Sequence, residues 1–388
     1  MERVTLFSIN QYVSATVNPA DTPEDLFELY SVPSYENQYP EIVKGKEIGS
    51  TKAVVQEGDV LICKINPKIN RVWVVKHNTE YSLLASSEWI VVRNSAINSN
   101  YLKWYFMSPF FRKLLTSQVA GIGGSLTRAQ PKQVAKYPVP IVELEKQEKI
   151  VNLLEKVNFV ISARQQQLAK LDELVKARFV EMFGDLATPD CSWLSVRLMD
   201  TCENQDAIKC GPFGTQLSKE EYKSDGVSVW EIPQINSQFV SSPTHYLTEE
   251  KAKQLQSYSI CPGDIAMSRK GNVGKCAVFP KEFEPGIIHS DVLRIRVDQK
   301  RVLPVFMMCQ LHFSKAVQHQ IELVSSGAIM AGINVTKLKK IYVHIPPMDL
   351  QRRFVAFVES VDKTKLSIQN GLEQMEILKK ALMQKYFG

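Results

Sequence analysis

"YPVPIVELEKQEKIVNLLEKV" occupies residues 137–157, and "IYVHIPPMDLQRRFVAFVESV" occupies 341–361. Laid over one another without a gap, the stretches pair Val139 with Val343, Ile141 with Ile345, Gln147 with Gln351, Val151 with Val355, Glu155 with Glu359 and Val157 with Val361. The same alignment continues through Leu168/Leu372, Leu174/Leu378 and Lys176/Lys380, and it ends with Phe183-Gly184 on Phe387-Gly388. Apolar spacing agrees along with identity, so one design, closing on a long helix, is written twice.

Upstream the likeness is weaker but continuous. "VTLFSIN" at 4–10 lies on "VRLMDTC" at 196–202, "YSVP" at 30–33 on "WEIP" at 230–233, "VQEGDVLICK" at 55–64 on "ICPGDIAMSR" at 260–269, and "SEWIVVR" at 87–93 on "SDVLRIR" at 290–296. The reading is a duplicated domain: globular segments at 1–138 and 185–342, long helices at 139–184 and 343–388. A period this long excludes a solenoid.

Within the helices apolar residues recur at alternating steps of four and three, the a/d seam of a coiled coil. The first seam runs through Ile150, Leu154, Val157, Ile161, Leu168, Leu171 and Val175, then Arg178 and Met182. The second runs through Phe354, Val358, Val361, Ile368, Leu372 and Met375, then Leu382 and Tyr386. Arg164, Lys365 and Lys379 interrupt the stripes, with stems long enough to lie along the seam while the charge stays wet. Matched lengths predict that the two helices pair antiparallel, a rod of about 60 Å at 1.5 Å per residue. The whole is then pseudo-two-fold and nearly circular, with the last residue beside the first. The plainer reading has each helix capping its own domain.

Both globular halves mix short strands with helices, so the expected class is α/β (α+β). "DVLICKI", "RVWVVK", "VSVWEIP", "DIAMS" and "DVLRIRV" are β-branched runs bounded by turn residues. Residues 100–119 and 303–324 read as one helix each, both followed by a Gly/Ser loop, "AGIGGSLTRAQ" and "SSGAIMAGIN".

Each half also carries one basic segment free of acidic residues. Lys64, Lys68, Arg71 and Lys76 stand with Asn66 and Asn70; Arg269, Lys270, Lys275 and Lys281 stand with Asn272. A lone charge run is usually a solvated face. Its recurrence after the same Gly-Asp turn points instead to a polyanion, since Lys and Arg neutralise phosphate and, with Asn or Gln, read base edges. A formal charge of +6 agrees in sign. Counting one offset throughout puts Lys64 on Arg269, Asn70 on Lys275 and Lys76 on Lys281.

The remaining features exclude much. A hydrophobic content of 44% with 23% charged residues is that of a soluble globular chain. No apolar run reaches membrane-spanning length, and the N-terminus lacks a secretory pattern. Seven cysteines without metal-ligand spacing suggest reduced thiols in the cytoplasm. No phosphate loop, zinc motif or nucleophile signature occurs, so no catalytic or metal residue is assigned and the chain is expected not to be an enzyme.

"KCGPFGTQL" at 209–217, "EIPQIN" at 231–236, "CPGDIAMSRKGNVGKCAV" at 261–278 and "IPPMDLQRRFV" at 345–355, with its counterpart "VPIVELEKQEKIV" at 139–151, resemble the specificity subunit of type I restriction–modification systems. The resemblance spans essentially the whole chain. The first half departs most, with "INPKIN" where the second has "RKGNVG" and no copy of "GPFGTQL".

The resemblance implies that each globular domain reads one half of a split double-stranded DNA target. The helices would act as a ruler capping the distance between domain centres at about 18 base pairs. Their outer faces would dock two methyltransferase subunits, which bring S-adenosylmethionine, adenine-N6 methylation and flipping of the target base. Restriction subunits would bring ATP-driven, Mg-dependent cleavage, leaving this chain without a cofactor of its own. Expected DNA contacts are Lys64, Lys68, Asn70 and Arg71 in the first half and Lys209, Arg269, Lys270, Asn272 and Lys275 in the second. Gly211, Gly214, Gly271 and Gly274 would shape the loops. The competing readings are a non-catalytic coiled-coil scaffold for protein partners, marked by absent sequence-selective DNA binding, and a free-standing enzyme, marked by cofactor binding to the isolated chain.

Overall fold

The structure is a computed structural model, and it describes residues 2–117, 119–120, 127–184, 193–326 and 332–388. The tips of both Gly/Ser loops, at 121–126 and 327–331, and Cys191 lie outside the described residues. Chain contacts divide it into two compact units, Met1–Gln166 with Gln369–Gly388, and Gln167–Ile368.

Unit 1 opens with β1 (Glu2–Thr5) and α1 (Leu6–Ile9), followed by β2 (Thr16–Val17), β3 (Leu26–Tyr30), β4 (Glu41–Lys44), β5 (Lys52–Val54), β6 (Val60–Cys63), β7 (Val72–Val74), β8 (Ser82–Ala85) and β9 (Trp89–Val92). Then come α2 (Ser99–Met107), α3 (Pro109–Ser117), the ribbon β10 (Val119–Ala120) and β11 (Arg128–Ala129), α4 (Pro131–Val134) and β12 (Pro138–Ile141). The strands form sheets β2-β5-β8-β3-β4 and β7-β6-β9, and β1 pairs with β12.

Unit 2 runs β13 (Leu194–Arg197), β14 (Ile208–Cys210), β15 (Val227–Trp230), α6 (Ile232–Asn236), β16 (His245–Leu247), α7 (Glu249–Gln254), β17 (Ser259–Ile260), β18 (Ile265–Ser268), β19 (Cys276–Val278), β20 (Gly286–Ile288) and β21 (Val292–Ile295). It continues with α8 (Pro304–Phe313), α9 (Lys315–Val324), the ribbon β22 (Ser325–Ser326) and β23 (Gly332–Ile333), α10 (Val335–Leu338) and β24 (Tyr342–Ile345). Its sheets are β16-β15-β20-β17 and β14-β21-β18-β19, and β13 pairs with β24.

The duplication is visible strand by strand. Val4 faces Val139 in β1/β12 as Val196 faces Val343 in β13/β24. Each unit has one parallel pair, β3 with β8 and β15 with β20, among pairings that are otherwise antiparallel in the described residues. Of the expected α/β (α+β) class the second term therefore describes the sheets, because antiparallel pairing predominates in both units.

The helices expected at 100–119 and 303–324 are each two helices. Ser108 and Ser314 interrupt them, and their hydroxyls accept the Phe111 and Val317 amides at 3.2 and 3.4 Å, restarting the helix as N-caps. In the first half Pro109 also removes a donor at the break.

The long helices are α5 (Leu144–Phe183) and α11 (Met348–Phe387), 40 residues each and uninterrupted. Residues 144–166 and 369–387 belong to unit 1, the remainder of each to unit 2. Pairing is antiparallel within each unit. In unit 1 Lys379 Nζ donates to Asn158 Oδ1 at 2.6 Å; in unit 2 Lys365 meets Asp172 at 2.5 Å, and Phe183 lies 5.5 Å from Phe354.

The expected seam changes character along its length. Ile150, Leu154, Val157, Ile161, Val358 and Val361 are buried, while Leu168, Leu171, Leu372 and Met375 are only half-buried. Near both helix ends it also departs from the 3.5-residue spacing. Phe179 and Phe183, and likewise Met383 and Phe387, are the buried residues, in place of Arg178, Met182, Leu382 and Tyr386. Steps of four from Val175 and Lys379 keep those side chains against an aromatic core where a strict heptad would turn them away. Phe183 joins Phe179, Phe306 and Phe354, and Phe387 joins Tyr101 and Tyr105. Arg3 Nη2 donates to the Gly388 carbonyl at 2.6 Å, so the end of the chain does lie beside its beginning.

Candidate nucleic-acid interface

The basic segments are the turns joining β6 to β7 and β18 to β19, and a common scaffold holds them. A buried carboxylate begins each leading strand. Asp59 accepts Arg93 Nε and Nη2, both at 2.7 Å, and the Gln56 amide at 2.9 Å. Asp264 accepts Arg296 Nε and Nη2 at 2.7 and 2.6 Å and the Cys261 amide at 2.8 Å. These contacts hold both guanidinium groups above the usual arginine range. Gly58 and Gly263 precede them at φ +87° and +89°, a backbone that glycine adopts at no steric cost. The repeated Gly-Asp is thus a structural clamp that ties the first strand of each basic turn to its neighbour in the sheet.

A second duplicated clamp carries the long helix. Gln147 accepts the Asn98 amide at 2.9 Å and donates to Val142 O at 2.8 Å. Gln351 does the same with Leu303 at 2.9 Å and Pro346 at 2.9 Å. The matched glutamines flagged both; their roles needed tertiary contacts that a sequence does not display.

Inside the turns one correction applies. Cys63 N donates to Arg71 O at 3.0 Å, and Ser268 N to Lys275 O at 2.7 Å. Lys64 therefore does correspond to Arg269, but Lys275 corresponds to Arg71, not Asn70, and Lys76 does not correspond to Lys281. The first turn is one residue longer, which an ungapped offset cannot register. Its left-handed positions are Asn66 (φ 48°) and Asn70 (φ 52°), where the second turn uses Gly271 (φ 69°) and Gly274 (φ 82°). "INPKIN" and "RKGNVG" satisfy the same requirement with the residue types that tolerate it best.

Both turns are bridged to the base of the following Gly/Ser loop. Ala129 N donates to Lys64 O at 2.8 Å and Ile333 N to Arg269 O at 3.1 Å, with bridges at Ile65/Arg128 and Lys270/Gly332. Turn and loop, far apart in the sequence, thus form one feature in each unit.

In unit 1 Lys68 is exposed and Lys64 half-buried. Among the described residues the buried Asn70 side-chain oxygen has no hydrogen-bond partner, and Arg71 is 15% exposed and paired with Glu36 at 3.4 Å. In unit 2 Arg269, Lys270, Asn272 and Lys275 share one turn. The Arg269 guanidinium lies 4.9 Å over the exposed ring of Phe213 and donates to Ile333 O at 3.2 Å. Lys275 donates to Asn236 O at 3.0 Å. Lys270 is held by Asp291 at 2.8 Å, so its charge is largely compensated.

Lys209 stands apart from that turn, its amine 4.9 Å over the Tyr258 ring and 3.9 Å from Asp206. Gly211 permits a close backbone approach, since a Cβ there would fall 2.2 Å from Ile288 O. Gly214, at φ +44°, faces open space. Phe213 was missed as a candidate, though its place within "GPFGTQL" was the available signal. Among the described residues no group of three or more His, Cys, Asp or Glu is placed to hold a metal, and no helix is long and apolar enough to cross a membrane.

Residues 193–376 match the family described as type I restriction modification DNA specificity domain. A Haemophilus influenzae chain assigned as the type I restriction enzyme specificity subunit S.HindORF215P is 25% identical over 73% of this chain and 69% of its own. The type I restriction enzyme MjaVIII specificity subunit of Methanocaldococcus jannaschii is 19% identical over 87% of this chain and 80% of its own. A chain solved in work on complex assembly and conformational transition of the type I R-M system superposes over 100% of this chain and 97% of its own, at a TM-score of 0.60 and 19% identity, a likeness of fold. With a duplicated fold and two basic turns on a common scaffold, the chain is similar along most of its length to the specificity subunits of type I restriction enzymes, and its second half matches the DNA specificity domain of that family.

Proposed function

We propose that the two units are two target-recognition domains, each reading one half of a split duplex target through the turn after β6 or β18. In this reading the paired long helices, associated as a coiled coil, fix the unread spacer. The observation that carries the proposal is one scaffold presenting two different basic turns, which is what unlike half-sites require. The clamp, the strand pairing and the bridge to the Gly/Ser loop are common to both, while the turn's length and left-handed residues differ.

Exposed apolar side chains on α5 and α11, Phe159 and Val180 on the first and Leu366 and Ile377 on the second, support docking of two methyltransferase subunits on these helices. Those partners would supply S-adenosylmethionine and the target-adenine pocket, and restriction subunits would supply ATP-dependent cleavage with Mg. This chain would hold no cofactor and work in the cytoplasm. The test is a single-molecule methylome of cells carrying the chain and its neighbouring methyltransferase subunit, against cells lacking the chain. Adenine methylation at one split motif that vanishes without the chain is the expected result. An unchanged methylome in cells where the two demonstrably assemble would refute the proposal and favour a protein scaffold.

A further inference from the structure

The segments after β3 and β15 contain a repeat that neither basic turn accounts for. "YSVPSYENQY" at 30–39 lies without a gap on "WEIPQINSQF" at 230–239, which puts Gln38 on Gln238. Both glutamines have left-handed backbone, φ 52° and 53°, and both are exposed. Glycine and asparagine are the usual occupants of that conformation, and a long unbranched side chain there is uncommon. Two halves that otherwise share few residues have kept the same unfavourable choice.

The backbone of each turn is held firmly. Gln38 N donates to Tyr35 O at 3.0 Å, and the Tyr35 ring packs 5.7 Å from Trp73. Gln238 N donates to Ile235 O at 3.0 Å, Phe239 N to Gln234 O at 2.7 Å and Gln234 Nε2 to Ser242 O at 2.9 Å, while Phe239 is buried against Trp230. In both units the basic turn touches this segment at corresponding places. Arg71 meets Glu36 at 3.4 Å, and Lys275, its counterpart, donates to Asn236 O at 3.0 Å. A rigid platform beside a cationic turn thus presents one exposed carboxamide, twice.

We propose that Gln38 and Gln238 each read an adenine edge in the major groove, one in each half of the target. A carboxamide is the complement of adenine, donating to N7 and accepting from N6. In unit 1 Gln38 Nε2 donates to Tyr35 O at 2.7 Å and the amide also meets the Tyr35 hydroxyl, which fixes it and leaves its oxygen for a base. This assignment rests on the DNA reading proposed above.

The competing role is that of a helix C-cap, and two substitutions separate the two. Gln→Gly keeps the left-handed turn and relieves its strain; Gln→Glu keeps side-chain length but accepts from cytosine N4 rather than pairing with adenine. The chain is expressed with its neighbouring methyltransferase subunit as wild type, Gln38→Gly, Gln38→Glu, Gln238→Gly and Gln238→Glu. The methylome and the melting temperature of the purified complex are read for each.

Expected is loss of adenine preference, by about 5- to 150-fold, at one position of one half-site for the Gln38 variants and of the other half-site for the Gln238 variants. The glutamates shift that position toward cytosine, and the glycine variants melt no lower than wild type. If a variant abolishes methylation, the complex is titrated with duplexes carrying each base pair at each motif position, and an unchanged ranking overturns the proposal. A split wild-type motif that all four variants preserve overturns it alone. A wild type with no split motif overturns the DNA reading as well.

Discussion

Replacing Asp264 by alanine should destabilise unit 2 far more than its single charge suggests. The carboxylate is 3% exposed and accepts three hydrogen bonds, from Arg296 Nε at 2.7 Å, Arg296 Nη2 at 2.6 Å and the Cys261 amide at 2.8 Å. Its removal strands two guanidinium donors in a site where Arg296 is only 27% exposed, and it orphans one backbone amide. Breaking one side of such a pair costs about 3–5 kcal/mol, mostly the penalty of the group left behind. Arg296→Ala should cost a similar amount, because it leaves the more deeply buried partner uncompensated. The double variant should then cost less than the sum, with a coupling of about 1–3 kcal/mol.

Urea unfolding gives the free energies, and amide exchange over β18, β19 and β21 locates them. The clamp sits at the start of β18 and just beyond β21, where it fixes the register that sets Ile265 opposite Ile295. Exchange should therefore rise along those strands and the Arg269 turn, with β6, β7 and β9 unchanged. A buried pair is little screened, so the loss should be the same at low and high salt. A cost below about 1 kcal/mol for both single variants, or strict additivity in the double, would refute this account of the clamp.

Four further outcomes follow from other residues. Phe387→Ala empties a site against Tyr101 and Tyr105 and should cost about 3–5 kcal/mol, read as faster exchange in α2 of unit 1 with unit 2 unaltered. Gly211→Ala drives a Cβ to 2.2 Å from Ile288 O and 2.4 Å from His289 O, a backbone clash worth about 1–3 kcal/mol or more in denaturation. Burial, aided by the charge of Lys275, holds His312 below the ordinary histidine pKa, and its Nε2 accepts the Cys276 amide at 2.9 Å. The folded state thus binds this proton less readily than the unfolded chain, so the contribution is complete above about pH 6.5 and shrinks as pH falls toward the lowered folded value. His312→Gln should flatten that part of the stability–pH curve. Finally, Arg269→Ala should weaken duplex binding by the assembled complex and lower its salt slope by about 1 if the guanidinium meets a phosphate.

What the sequence discloses and what it withholds divide along a physical line. Helix length, the internal repeat and the strand runs that form β6, β7, β15, β18 and β21 depend on periodicity and local propensity, which a single chain displays. The burial pattern near the helix ends depends instead on what the helix meets. Phe183 and Phe387 face aromatic cores assembled from segments far away in sequence, and a 3.5-residue template assumes that the partner is another helix throughout. Turn and loop could not be joined from sequence either, because the bond from Ala129 to the Lys64 carbonyl carries no side-chain signature.

The basic turns show why a duplicated chain can diverge most where its scaffold is most constrained. Their flanking strands admit little change: a shifted clamp would bury a lone carboxylate, and a shifted register would exchange the side chains that β6 or β18 sends into the two cores it separates. The turn between them needs left-handed residues near both ends and a return to the sheet. Asn66 with Asn70 meets that need with an intervening prolyl turn, and Gly271 with Gly274 meets it in one residue less. The two solutions place different side chains over the same frame, Lys68 beside a proline in one and Asn272 between glycines in the other. Exchanging residues 64–71 for 269–275 should therefore leave the fold intact while altering what that unit presents. Melting temperature and the methylated half-site, measured on the assembled complex, report the two separately. A swap that unfolds unit 1 would mean that the turn belongs to the scaffold after all.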